Sequence, residues 1–220
     1  HHQPRRQRQM CIRDRASRAL MGDALAINTE IERRFLVDGR GDKPWRNTVD
    51  IRQITQYYLD SSDIEFQKSV INYREVALVS ISQEEFQILT KADNWVSRMR
   101  IQNDSVVFTL KGKKEGIETT ELEWVLSDLP NVPGFDEHPC VQKTRYCVNA
   151  GNGLIWEVDE FEGVLAGLIL AEIELEHINQ EFDRPEWIGI ELTGLKNWSN
   201  ASLATTLLNA EELKKTLRQQ

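Results

Sequence analysis

Cysteine is scarce in this sequence. Three in 220 residues (Cys11, Cys140, Cys147) are too few and too unevenly spaced for a disulfide framework or a zinc site. A reducing, cytoplasmic setting is therefore expected. Long apolar runs are missing too: the longest candidate, Val164–Ala171, contains Gly167 and is flanked by acidic residues, far short of the ~20 residues that cross a bilayer. No membrane partner is expected. Nor is there an excess of positive charge. Lys and Arg number 27 against 35 Asp and Glu, a net charge of −8, which argues against a nucleic-acid partner.

That net charge hides an asymmetry. Residues 1–20 carry six Arg against Asp14, a net +5, leaving −13 for the remainder. The stretch has no apolar core of a secretory signal, and the folded pattern begins only at Ile27. Residues 1–21 are thus expected to be a disordered or artefactual extension, followed by one domain over 27–220, long enough to bury its own core.

The organising stretch is Thr29–Val37. Read with a period of two, it places Glu30, Glu32 and Arg34 on one face and Ile31, Arg33 and Phe35 on the other. Ile, Phe, Leu and Val favour a strand, and neither Gly nor Pro interrupts the run. Further along, strands are expected over Ile51–Leu59, Val70–Val79, Asn94–Gln102, Ser105–Lys111, Ile117–Leu126, Val141–Val148, Leu154–Phe161 and Leu168–His177. Asn103-Asp104 and Ala150–Gly153 read as hairpin turns. Ser82–Glu85 is a capping box opening a short helix to about Lys91, and Ser199–Leu217 has apolar positions at helical spacing, capped by Ser199 or Asn200.

Segment after segment repeats like charges at i and i+2: Glu30/Glu32, Arg98/Arg100, Lys111/Lys113, Glu121/Glu123, Lys143/Arg145, Glu157/Asp159 and Glu172/Glu174/Glu176. Adjacent like charges repel, so this is not the mixed polar face of an ordinary solvated sheet. Two arrangements fit. Either the apolar faces form a core with the charges outward, or the sheet closes into a barrel with the charges inward and its apolar outside covered, in part by helices near 83–92 and 199–217. In the second arrangement, converging Lys and Arg call for a polyanion, and clustered carboxylates call for a divalent cation. A polyphosphate with its metal satisfies both, Arg gripping phosphate oxygens in pairs and Glu or Asp offering hard oxygen ligands.

The residues also resemble a known family. Glu30-Ile31-Glu32-Arg33-Arg34 is similar to the Glu-x-Glu-x-Lys signature of the CYTH domain, or triphosphate tunnel metalloenzyme, superfamily. Arg98-Met-Arg100, Thr109-Leu-Lys111-Gly, Glu121-Leu-Glu123, Lys143-Thr-Arg145-Tyr146, Trp156-Glu157-Val-Asp159-Glu-Phe161 and Leu170-Ala-Glu172-Ile-Glu174-Leu follow in that family's order. The resemblance implies a mainly β fold, an eight-stranded antiparallel β-barrel forming a charged tunnel with flanking helices, acting with Mg²⁺ or Mn²⁺ on a small-molecule triphosphate. Arg34, Arg98, Arg100, Lys111, Lys113 and Arg145 would bind phosphate. Glu30, Glu32, Glu121, Glu123, Asp159, Glu172 and Glu174 would hold metal. Lys143 and Glu32 would be catalytic, while Glu157 and Glu176 share the right faces. Arg34 departs from the signature's Lys, and residues 61–93 exceed the minimal pattern, suggesting a lid or outer layer.

The implied activity is hydrolysis of inorganic triphosphate to phosphate and pyrophosphate. An adenylate cyclase of the same family, a thiamine triphosphatase and a non-catalytic polyphosphate-binding module are the alternatives. Apolar outer faces are compatible with a homodimer.

Overall fold

A computed structural model describes residues 28–92, 94–112 and 118–217. Twelve strands are formed: β1 Asn28–Val37, β2 Ile51–Leu59, β3 Ile64–Gln67, β4 Val70–Tyr73, β5 Val76–Ser80, β6 Val96–Gln102, β7 Ser105–Lys111, β8 Glu118–Leu126, β9 Cys140–Gly151, β10 Leu154–Phe161, β11 Ile169–Leu175 and β12 Ile188–Glu191. Two helices accompany them, α1 over Gln83–Lys91 and α2 over Asn200–Leu217. The expected extension at 1–21 lies outside the described residues, as does Lys113.

The alternation of charged and apolar residues closes a barrel. Pairing runs β11-β10-β9-β2-β6-β7-β8-β1, and β1 then returns to β11, so eight strands form a closed antiparallel cylinder. The register is set along the expected faces: Glu32 lies opposite Glu174 and Arg34 opposite Glu172, while Arg98 faces Thr109 and Lys111 faces Glu121. β1 divides its second edge, pairing with β8 through Asn28–Ile31 and with β12 through Phe35 and Val37. The β12 approach is close: a Cβ on Gly189 would stand 2.7 Å from the Leu36 carbonyl oxygen, so only glycine fits. The β9–β10 hairpin turns where it was expected, with Asn152 (φ 52°) and Gly153 (φ 81°) both left-handed.

Two apolar layers wrap the outside. Met99, Phe108, Leu110, Leu122 and Trp124, the outward faces of β6–β8, pack against Ile71, Tyr73, Leu78 and Leu89. These last four belong to a separate three-stranded sheet, β3-β4-β5, and to α1. Residues 61–91 therefore form an outer layer. The single strand expected over Val70–Val79 breaks in two, because Arg74 turns the chain at φ 53°. α1 begins as the sequence indicates: the Ser82 hydroxyl accepts from the Glu85 amide at 3.2 Å and the Glu85 carboxylate accepts in return from the Ser82 amide. The other Glu85 oxygen takes the Trp124 indole N–H at 2.9 Å, fastening the helix to the barrel. The second layer covers β1, β10 and β11, where Phe35, Trp156 and Ile173 are sealed by Trp45 together with Phe182 and Trp187.

α2 does not cover the outside, as its amphipathic spacing suggested. Leu203 and Ala204 pack with Leu36, Tyr58, Val141, Phe161 and Leu170, which are inward-facing positions of five strands. The helix therefore closes one end of the barrel. It does so because the inward series on each of these strands turns apolar at that end.

Candidate active site

The barrel encloses a cavity of about 150 Å³. Its wall carries seven carboxylates and six cationic groups: Glu30, Glu32, Glu121, Glu123, Glu157, Glu172 and Glu174, with Arg34, Arg52, Arg98, Arg100, Lys111 and Arg145. Gln56, Cys147, Ile155 and Asn200 complete the lining. Every wall residue comes from the inward series of its strand, apart from Asn200 at the start of α2.

Opposite charges are matched in three groups. On β6–β8 and β1, Arg98 donates to Glu121 and Glu123, both at 3.1 Å, and Arg100 donates to Glu123 at 3.0 Å. Lys111 donates to Glu30 at 2.8 Å and lies 3.1 Å from Glu121. Between β1 and β11, the Arg34 Nε donates to Glu172 at 2.6 Å, and its other nitrogens reach Glu32 and the Trp198 carbonyl, both at 3.3 Å. A Lys in the same place has one nitrogen and could not span a carboxylate pair and the chain leading into α2. On β9 and β10, Arg145 donates through two nitrogens to Asp159 at 2.6 and 2.7 Å, and also pairs with Glu157 and Glu172.

Beneath the cavity lies a fully buried pair, Lys143 and Asp159, joined by a direct hydrogen bond. Neither residue is part of the cavity wall. Burial disfavours the Lys143 ammonium and outweighs the attraction of Asp159, bringing its pKa down to about 8. Asp159 is also opposed by burial, but Arg145 and Lys143 prevail and hold it below the usual carboxylate range. Glu172 is held low against burial by Arg34 and Arg145. Arg100 moves in the other direction: burial lowers its pKa, Glu123 opposes the shift, and the neighbouring charges of Arg98 and Arg145 add to it. Its Nε is buried without a hydrogen-bond partner.

Of the residues expected from the sequence, Glu30, Glu32, Arg34, Arg98, Arg100, Lys111, Glu121, Glu123, Arg145, Glu157, Glu172 and Glu174 meet in this cavity. Glu176 does not. It follows the end of β11, is exposed, and its backbone N–H donates to Gln180 at 2.6 Å. Arg52 was missed. It belongs to a strand whose other inward residues, Ile54, Gln56 and Tyr58, are uncharged, so no like-charged partner at i+2 marked it.

Among the described residues no three His, Cys, Asp or Glu side chains converge at metal-binding spacing, because the carboxylates are engaged by cations. The donor set nonetheless suits a hard divalent ion, since it consists of carboxylate oxygens on neighbouring strands. The wall carries an excess of one negative charge, so a polyanion could be accommodated only with accompanying cations.

The chain matches the CYTH domain family over residues 86–206. It is 38% identical over 112 residues to an inorganic triphosphatase of Acetivibrio thermocellus, covering 48% of this chain and 69% of that one. To an inorganic triphosphatase of Nitrosomonas europaea it is 29% identical over 154 residues, 66% of this chain and 99% of that one. A solved inorganic triphosphatase structure, 26% identical, superimposes with a TM-score of 0.47 over 81% of this chain and 95% of the other.

Proposed function

This chain belongs to the CYTH domain family, and from that premise we propose that it hydrolyses inorganic triphosphate to phosphate and pyrophosphate inside the barrel. One observation carries the reading: seven carboxylates and six cationic groups interleaved on the wall of one cavity. A simple anion site has no use for the carboxylates, and a simple metal site has none for the arginines. Two relatives are named inorganic triphosphatases, which agrees with it.

In this reading the cavity exchanges partners when it fills. Arg34, Arg98, Arg100 and Lys111 leave their carboxylates for phosphate oxygens, and Arg145 leaves Glu157 and Glu172 while keeping Asp159. Glu30, Glu32, Glu121, Glu123, Glu172 and Glu174 would then be the residues that hold Mg²⁺ or Mn²⁺. Such an ion, when bound, supplies charge neutralisation and Lewis acidity at the phosphoryl group. The chain's own contribution is mostly positioning and electrostatics. Guanidinium and ammonium groups held by the strands of the barrel stabilise the charge that spreads over the transferred phosphoryl while water attacks in line. Glu32 lies beside the Arg34 grip and its loss would disturb metal and phosphate together. Asp159 and Lys143 act from below: Asp159 orients the Arg145 fork, and Lys143 balances Asp159.

The wall contains no aromatic side chain among the described residues to stack on a nucleobase, which favours an inorganic substrate over ATP. The test is phosphate release from tripolyphosphate with Mg²⁺, with Mn²⁺ and with EDTA, with ATP in parallel and products resolved. Metal-dependent production of phosphate and pyrophosphate, with ATP poor, is expected. Cyclic AMP formed from ATP, or tight binding of tripolyphosphate without turnover, would overturn the proposal.

A further inference from the structure

We infer that Arg52 is the specificity-determining residue that makes the site require three phosphates rather than two. The inference rests on the triphosphatase reading and deepens it.

Arg52 is the first inward residue of β2, and Tyr58, at the other end of the same strand, packs in the cluster that α2 closes. Arg52 therefore marks the end of the cavity away from the helix. It pairs directly with Arg145 across the β2–β9 ladder. Like charges at facing positions on neighbouring strands repel. Arg52 is only 9% exposed, and against that burial its charge is upheld by Asp50 and Glu157. Arg100 belongs to the same group, since the charge of Arg145 is felt at its guanidinium. The Nε of Arg100 is buried and has no partner. Arg145 thus stands between Arg52, its partner in the ladder, and Arg100, whose donor is left unsatisfied. An anionic group with several acceptor oxygens would satisfy that donor, and a phosphate is such a group.

The counter-ions separate Arg52 from the other two. Arg145 is locked to the buried Asp159, and Arg100 donates to Glu123, a wall residue. Arg52 is held by Asp50, through two hydrogen bonds of 2.8 and 2.7 Å, and the Asp50 side chain is 40% exposed. Water can take over Asp50 when Arg52 lets go, so this cation is the easiest of the three to reassign. Arg52 then takes the phosphate farthest from α2, while the groups around Arg34, Arg98 and Lys111 hold the inner two. Pyrophosphate fills the inner positions and never reaches Arg52.

The experiment compares wild type with Arg52→Gln and Arg52→Lys, using tripolyphosphate as substrate and pyrophosphate as competitive inhibitor. Loss of one charged contact predicts that Arg52→Gln raises KM for tripolyphosphate about 10- to 100-fold, with kcat falling far less. Inhibition by pyrophosphate should be unchanged, and Arg52→Lys should recover part of the loss. Asp50→Asn frees Arg52 without removing it and should leave KM unchanged or lower it. An unchanged KM in Arg52→Gln, or equal weakening of tripolyphosphate and pyrophosphate in a folded variant, would overturn the assignment. Should the wild type fail to turn over tripolyphosphate, the hydrolase reading falls. Calorimetric binding of tripolyphosphate against pyrophosphate to the same variants then decides the role of Arg52 on its own.

Discussion

Replacing Asp159 with Asn and, separately, Lys143 with Met should have very unequal effects on stability, although the two side chains form one buried ion pair. Asp159 compensates two cations, since its oxygens hold both Lys143 and the two nitrogens of Arg145. Asp159→Asn leaves the buried Lys143 ammonium with no counter-ion and Arg145 with only Glu157 and Glu172, and an uncompensated buried charge costs about 3–5 kcal/mol. For a chain of this size that lowers the melting temperature by roughly 6–20 °C. Lys143→Met leaves Asp159 in the fork of Arg145, and it removes an ammonium for which burial already outweighs attraction, as its pKa near 8 shows. A loss of ~1 kcal/mol or less is expected. The assay is urea unfolding followed by fluorescence of the buried tryptophans, with thermal melts alongside. Equal losses in the two variants, or a greater loss in Lys143→Met, would refute the view that Asp159 serves two cations.

Three further outcomes are expected. Glu32→Gln keeps shape and removes charge, so turnover should fall on the order of 10²–10³-fold with an unchanged circular dichroism spectrum; activity near wild type would count against the site. Glu191, outside the barrel, accepts from Arg33 and Thr193, and these bonds hold its pKa below the usual value despite partial burial. Its folded pKa lies below its unfolded one, so its contribution is present above the ordinary Glu pKa and is lost as pH falls through the folded value. Acid titration of stability should therefore be shallower in Glu191→Gln than in wild type. Ser82→Ala removes the α1 cap and should cost about 0.5–2 kcal/mol in unfolding experiments, without altering turnover.

Much of the site was legible because charge alternation has a physical meaning in a strand. Glu30, Glu32 and Arg34 share a face at a period of two whatever the sheet does; seven segments with that pattern leave the charges either all outward or all inside a barrel, and the resemblance to the family chose the barrel. What alternation does not encode is which end of each strand lies at which end of the barrel. The burial of Lys143 and Asp159 beneath the wall depends on the stagger between β9 and β10. Arg52 carried no paired charge to announce it. The role of α2 was hidden for a related reason: an amphipathic helix needs an apolar surface, and the inward ends of β1, β2, β9, β10 and β11 offer one as readily as the outside does. The break at Arg74 followed from a left-handed turn in a non-glycine residue, which propensity disfavours.

The divided edge of β1 has a consequence for how the protein is made. Its partners are β8, β11 and β12, so the strand that opens the described chain is joined to strands more than 80 and more than 130 residues later. Contacts so distant in sequence form late and slowly. The seam between β1 and β8 is short, only Asn28–Ile31, and Glu30 lies within it. A nascent chain thus carries its carboxylates and guanidiniums dispersed along an open sheet, unable to act on a polyanion. Competence would arrive only after β8 and β11 have both been made and have paired with β1.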